Sequence, residues 1–306
     1  MSALKIPIAV ASVLLCALGI FIFLHRPNKS VEIVCMATDG TRIAVGLKNG
    51  TAVELSYTNH AFDEERRLPQ CSGATINALY FTAKHELVCS GEKLRIVNQS
   101  GATREISVPT SISGGAFGSV AEFQGFLAVI CAKETILLFD SQGKFVKQTG
   151  DHTALYGDLR TSPDGQFLVA SGHTPHVWAS AIVPTELAHA YYTFGPIAFG
   201  PQRLYIGNQD GCVYQWQTRD WRQLPRVCLN TGTVSQLAVE TDGRHLAIAA
   251  DVVFVEVGNG ESRIDRNAHA GLAYLENKLL TASGSHVEVW DCASGACEHQ
   301  TEYQVH

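Results

Sequence analysis

From residue 31 to residue 306 the chain repeats one strand–turn–strand pattern seven times, about every 39 residues. Each period opens on a nearly continuous apolar run: RIAVG, ELVCSG, FLAVICA, FLVASG, RLYIG, HLAIAA and KLLTASG. Such runs suit strands covered on both faces. An alternating strand follows each: AVELS (52–56), LRIVN (94–98), ILLFD (136–140), HVWAS (176–180), VYQWQ (213–217), VFVEV (253–257) and VEVWD (287–291). Asp39-Gly40, Asp164-Gly165 and Asp242-Gly243 precede the apolar strand. Asn49-Gly50 and Asp210-Gly211 follow it, and such pairs supply the positive φ of two-residue hairpins. Four short strands per period, with no helical periodicity competing, describe the blade of a β-propeller.

A single apolar segment precedes the repeats. Residues 6–24, IPIAVASVLLCALGIFIFL, carry no charge. Nineteen helical residues rise about 28 Å, close to the ~30 Å core of a bilayer. The run ends in Phe21 to Arg26 and Pro27 with no small-residue cleavage site, so an uncleaved anchor is expected rather than a signal peptide. The fold class expected is therefore all-β: a seven-bladed propeller of four-stranded antiparallel blades after one N-terminal transmembrane helix. The chain divides into a tail (1–5), a transmembrane anchor (6–24), a linker (25–30) and the propeller (31–306).

The first blade begins almost at the anchor, which leaves no spare N-terminal strand to complete the last blade. The last blade is expected to supply its own outer strand, CEHQTEY (297–303), and the ring to close by side-chain packing.

Lys5 and the amino terminus flank one end of the apolar segment; Arg26 and Lys29, with His25, flank the other. This balance favours a cytoplasmic propeller by one charge. The nine cysteines are odd in number and scattered; Cys35, Cys89, Cys131 and Cys212 lie in or beside apolar strands. Unpaired thiols in a reducing compartment are the expectation, with Cys292 and Cys297 read as two unpaired hairpin thiols that also stand close enough to face each other. Asn28, Asn49 and Asn98 begin Asn-x-Ser/Thr sequons, which matter only in a eukaryotic lumen or outside the cell.

Residues 31–306 hold 20 Lys/Arg, all but three of the chain's 23, against all 29 Asp/Glu, a net of −9. No basic block or basic–aromatic interleaving accompanies this charge, which excludes a nucleic-acid interface. An acidic body also adds no attraction to anionic lipid, and a protein partner would meet it with a basic face.

At the last blade, AHAGLAYLENKLLTASGSHVEVWDCASG resembles a WD-repeat unit. In that family a Gly-His pair, a strand Ser/Thr, a turn Asp and a strand Trp form a hydrogen-bonded tetrad. The resemblance implies tetrad roles for His269, Ser283 and Trp290, with Asp291 completing the signature dipeptide. The turn Asp is absent, its place taken by Ser285 and His286. The fourth blade, DHTALYGDLRTSPDGQFLVASGHTPHVW, is similar and implies roles for His152, Ser171 and Trp178. The fifth keeps Asp210 and Trp216. One segment, RLYIGNQDGCVYQWQTRDW (203–221), also resembles a pyrroloquinoline-quinone-type propeller repeat, which implies a bacterial propeller of the outer-membrane-assembly type.

Chemistry-bearing patterns are sparse. His173 and His176 form H-x-x-H, with His152, His269 and His286 expected toward the same rim. No acid or cysteine is fixed beside them by spacing, and the tetrad reading already occupies two of the five, so no metal is assigned. There is no G-x-S-x-G elbow and no Walker loop, since the glycines of SGGAFGS lack a following Lys. No catalytic residue and no cofactor are assigned. Tyr191, Tyr192 and Phe194, in HAYYTFGP between the fourth and fifth blades, are residue types that anchor protein interfaces and are the partner-binding candidates. The charged arm NHAFDEERRLPQ (59–70) reads as a solvated edge. Together these features describe a membrane-anchored, non-enzymatic protein-interaction scaffold. The alternative is an envelope or lumenal propeller that binds a small ligand or acts as an enzyme at its central channel.

Overall fold

The computed structural model describes residues 31–306 apart from 70, 72, 74, 110, 111, 113, 114, 133, 134, 150–155, 180–183, 188–192, 230, 231, 258, 259, 265–267, 294 and 295; the side chains of 256–262 are not described either. Every regular element among the described residues is a β-strand. Blade 1 comprises β1 (Ile33–Thr38), β2 (Arg42–Leu47), β3 (Ala52–Thr58) and β4 (Ala61–Leu68), and blade 2 β5 (Ile76–Phe81), β6 (Leu87–Gly91), β7 (Leu94–Val97) and β8 (Thr103–Glu105). Blade 3 comprises β9 (Phe117–Phe123), β10 (Phe126–Cys131), β11 (Thr135–Phe139) and β12 (Phe145–Thr149), and blade 4 β13 (Tyr156–Thr161), β14 (Leu168–Gly172), β15 (His176–Trp178) and β16 (Pro184–Glu186). Blade 5 comprises β17 (Ile197–Phe199), β18 (Arg203–Gly207), β19 (Cys212–Gln217) and β20 (Gln223–Cys228), and blade 6 β21 (Gln236–Val239), β22 (His245–Ala249), β23 (Val253–Val257) and β24 (Gly260–Ile264). Blade 7 is β25 (Gly271–Leu275), β26 (Lys278–Ser283), β27 (His286–Asp291) and β28 (Glu298–Gln304).

Each blade is an antiparallel meander whose strands pair in sequence order, so the seven periods and four strands per period expected from the turn signals are present. The second strands are the most buried, as their apolar runs required: β6 and β14 are covered along their whole length. Gly40 and Gly211, both expected at turns, have φ of 91° and 75°, values open to glycine at little cost.

The core is divided among the blade junctions rather than gathered at one centre. One apolar cluster fills each junction; that between blades 3 and 4 contains Phe123, Ile130, Leu159 and Trp178. The cluster at the seam between the last and first blades joins Ile43, Val45 and Leu55 to Leu280, Val287 and Val289. β28 belongs wholly to blade 7 and β1 wholly to blade 1, so no strand is shared across the seam. Packing closes the ring instead, helped by Ile33 N–H donating to Gly284 O at 2.6 Å. Gly271 makes this approach possible, because a Cβ there would stand 2.5 Å from Met36 Cβ. At the outer edge Tyr303 Oη donates to Glu64 at 2.9 Å and Arg67 to His306 O at 2.7 Å. Closure by packing, read from the short linker, is what the structure shows.

The cysteines differ from expectation. Cys71–Cys89, Cys212–Cys228 and Cys292–Cys297 are disulfides, with Cα–Cα distances of 5.9, 4.0 and 4.1 Å. Cys35 and Cys131 are free thiols. Residues far apart in the residue order meet because antiparallel pairing sets them opposite each other: Cys212 and Cys228 are ladder partners across β19 and β20. The scatter that argued for lone thiols reflects three separate local pairs. The anchor expected at 6–24 lies outside the described residues; among the described residues no helix is long and apolar enough to cross a membrane.

Candidate functional site

In each blade the first strand runs away from one face and the fourth returns to it. The loops from fourth to first strands therefore share one face with the turns between second and third strands. Ile33 bonds to Gly284, and Val305 N–H bonds to Ser285 O at 2.8 Å, so both ends of the described chain meet this face. Residues 193–196, which lead into β17, are also on it.

The first strands line a central cavity of about 350 Å³, with Cys35, Asn77, Ser119, Asp158, Phe194 and Gln236 among its walls. Asp158 is the carboxylate in that wall, and each of its oxygens is engaged. Oδ1 accepts from Ser119 Oγ at 2.5 Å and from Leu159 N–H at 2.8 Å. Oδ2 accepts from Ile197 N–H at 3.0 Å and faces Arg160 Nε at 3.3 Å. Ser119 belongs to blade 3 and Ile197 to blade 5, so this one side chain ties three blades together. The backbone of Asp158 joins in, its N–H donating to Ser171 Oγ at 2.8 Å while that hydroxyl donates to Gly195 O at 2.7 Å. Neighbouring blades repeat the device: Ser90 Oγ donates to Gly118 O at 2.6 Å, and Asn77 Nδ2 to Phe117 O at 2.8 Å.

Cys35 is the nucleophile type at the channel wall. Burial pushes its thiol up to about 12, against a weaker opposing pull from the Gly46 backbone, so it is not a thiolate at neutral pH. The described channel thus offers an occupied carboxylate, an inert thiol and the Ser235 hydroxyl, which donates to Ala249 O at 3.2 Å and lies 3.1 Å from His269 Nδ1.

The sequence-predicted tetrads take a different form from the family's. In blade 7, Trp290 donates its indole N–H to Thr281 Oγ1 at 3.1 Å, and Thr281 donates to Glu288 Oε2 at 3.2 Å. Ser283, read as the tetrad hydroxyl, lies two residues further on. The ladder explains the shift: Trp290 pairs with Leu279, and period-two alternation puts residue 281 on its face. His269 Nδ1 meets Ser235 Oγ in blade 6, at 3.1 Å. Asp291 pairs with Lys278. In blade 4 the ladder partner of Trp178 is Leu168, which puts Ala170 where Thr281 stands in blade 7. Trp178 is fully buried and its Nε1 has no hydrogen-bond partner among the described residues. Ser171 falls on the opposite face of β14 and serves Asp158. His152 lies outside the described residues. In blade 5, Trp216 is buried and stacks on Tyr214 at 6.2 Å, while Asp210 caps its turn through Asn208, whose Oδ1 accepts from Asp210 N–H at 3.0 Å.

The H-x-x-H pair does not converge. His176 is buried on β15, with ring centroids 5.9 Å from both Tyr156 and Trp178, whereas His173 is exposed. Among the described residues one trio brings three potential metal ligands within 4.8 Å: Glu288, His299 and Glu302. A bulge between Val289 and Trp290 turns His299 and Glu302 onto one face of β28. Glu288 there accepts from Thr281, and the His299 ring packs edge-on to Trp290 at 5.0 Å. Of the interface candidates, Tyr191 and Tyr192 lie outside the described residues, and Phe194 is half-buried at the channel mouth with its carbonyl over Gly157.

No protein-family profile matches the chain, and no curated protein matches it. Among solved structures it is similar to the structure of U3-55K, with a TM-score of 0.68 and 12% identity over 83% of this chain and 89% of that one. It is likewise similar to the WD40 repeats of RRP9, with a TM-score of 0.69 and 12% identity over 83% and 88%. The fold is that of a WD40-like propeller.

Proposed function

We propose that this protein is a membrane-anchored, non-enzymatic scaffold that docks a protein partner on the face carrying the loops between blades. The observation that carries the reading is Asp158. The carboxylate in the channel wall is spent on cross-linking blades 3, 4 and 5, which suits a rigid platform. The WD40-like fold supports the same reading, since a closed ring presents a firm, loop-lined surface.

Ile33, where the first strand begins, lies on the face of the loops between blades, so a tether over residues 25–30 would leave from that face. Residues 25–30 extend at most ~20 Å, so a partner on that face is met beside the bilayer. That favours a partner that is itself membrane-bound, with a basic surface facing the propeller's net −9.

Proximity labelling from the full-length tethered protein tests this, with wild type compared against a Tyr191→Ala/Tyr192→Ala variant and against Phe194→Ala. Interface aromatics carry ~2 kcal/mol or more each. A loss of labelled partner by tenfold or more, with folding intact, is expected. Undiminished capture by both variants, or turnover of a small molecule at the channel of the purified protein, defeats the reading.

A further inference from the structure

Six of the eight cysteines in residues 31–306 are paired, at three separate places. Cys71–Cys89 ties the segment leaving blade 1 to β6 of blade 2. Cys212–Cys228 crosses β19 and β20, and Cys292–Cys297 closes the hairpin of β27 and β28. Close cysteine pairs have other uses, and each fails here. A zinc site needs further ligands, and the ligand cluster found among the described residues contains no cysteine. A redox-active dithiol uses a C-x-x-C spacing, whereas these separations are 18, 16 and 5. What remains is structural cross-linking, which persists in oxidising compartments and is rare in the cytosol.

We infer that the propeller is a substrate of a thiol–disulfide oxidoreductase and works in an oxidising compartment outside the cytoplasm. In each pair one thiolate attacks the disulfide of that enzyme to give a mixed disulfide. The second thiolate then displaces the enzyme's sulfur. Two electrons and two protons pass to the enzyme's disulfide, which leaves as a dithiol. The flanking charges of segment 6–24 favoured the opposite side by a single charge, a smaller signal than three cross-links. The inference is independent of the scaffold reading, because a scaffold works on either side of a membrane.

The test uses the full chain in its own membrane. Cells are acid-quenched and alkylated before lysis, and peptides are mapped without reduction. Linked peptides for 71–89, 212–228 and 292–297 are expected, with Cys35 and Cys131 recovered as alkylated free thiols. Alkylation of all six cysteines in the quenched sample overturns the inference. As a second readout, dithiothreitol should lower the Tm of wild type and leave unchanged that of a variant with the six replaced by Ser. Equal Tm for wild type with and without reductant also overturns it.

Discussion

Trp290 and Thr281 meet through the indole N–H at 3.1 Å, and Thr281 hands its own proton on to Glu288. A tryptophan that fills the junction of blades 6 and 7 is thereby oriented by a polar chain running through one blade. Trp290→Ala should cost about 3–5 kcal/mol through cavity formation. Thr281→Val should cost about 1–2 kcal/mol, because it leaves the indole N–H buried and unpaired. Ser283→Ala should cost less than about 0.5 kcal/mol. Urea unfolding of the three variants checks the order, and a Ser283 effect larger than that of Thr281 would contradict the assignment.

Trp178 gives the contrasting case. Its Nε1 has no hydrogen-bond partner among the described residues, and Ala170 holds the ladder position that Thr281 holds in blade 7. Trp178→Phe should therefore be milder than Trp290→Phe by about 1 kcal/mol, the worth of one hydrogen bond. Thermal melts of the pair measure the difference, and equal costs would mean that Trp178 has a partner beyond the described residues.

Asp158→Ala should destabilise the ring by about 3 kcal/mol, since it removes the carboxylate that accepts from Ile197 N–H and Leu159 N–H and leaves Ser119 Oγ only Leu159 O, at 3.3 Å. Asp158→Asn should keep part of the network and cost less. Hydrogen exchange at Ile197 and Leu159 should rise in both variants. Unchanged protection at Ile197 would remove the three-blade cross-link.

Gly157→Ala has nowhere to put its methyl group: the Cβ would stand 2.2 Å from Phe194 O, a backbone atom. The expected cost is about 1–3 kcal/mol, localised to the junction of blades 4 and 5. Chemical denaturation gives the magnitude, and a neutral result would show that the 193–196 segment can retreat.

Acid should weaken blade 1 through Asp39. Burial raises its carboxyl pKa, but this is outweighed by hydrogen bonds from the Arg42 backbone and side chain, His85 and Thr41, which hold it well below the usual carboxylate range. A depressed folded pKa stabilises above the unfolded value of about 3.9 and is lost as pH falls through and below it. Asp39→Asn should lower stability at pH 7 and flatten the decline below about pH 4. A parallel decline in both proteins would assign acid sensitivity elsewhere.

The blades were legible in the residue order because their signals are local. Apolar runs such as FLVASG and turn pairs such as Asp164-Gly165 act within one hairpin and fix both strand position and phase. The ring's closure was legible for the same reason, since only the six residues HRPNKS separate the apolar segment 6–24 from the first repeat, too few to lend a strand. Ser283 was misplaced because the tetrad depends on cross-strand register, and LLTASG carries two hydroxyls on the same face of β26. Asp158 stood out in nothing. A lone Asp in YGDLRT acquires its role only when Ser119 and Ile197 arrive from other blades, some 39 residues away on either side. The disulfides were hidden likewise: Cys71 meets Cys89 only after a loop returns to β6.

Because each blade is complete within its own stretch of chain, the seam between blades 7 and 1 differs from the other six junctions only in lacking a peptide connection. Strand order around the ring does not require the chain to start where it does. Joining residue 304 to residue 33 through a short bridge and cutting between β20 and β21 should give a circular permutant with the same seven blades and the same junction clusters. A ring that borrowed a strand across its seam would lose that freedom, because the cut would have to respect the borrowed strand.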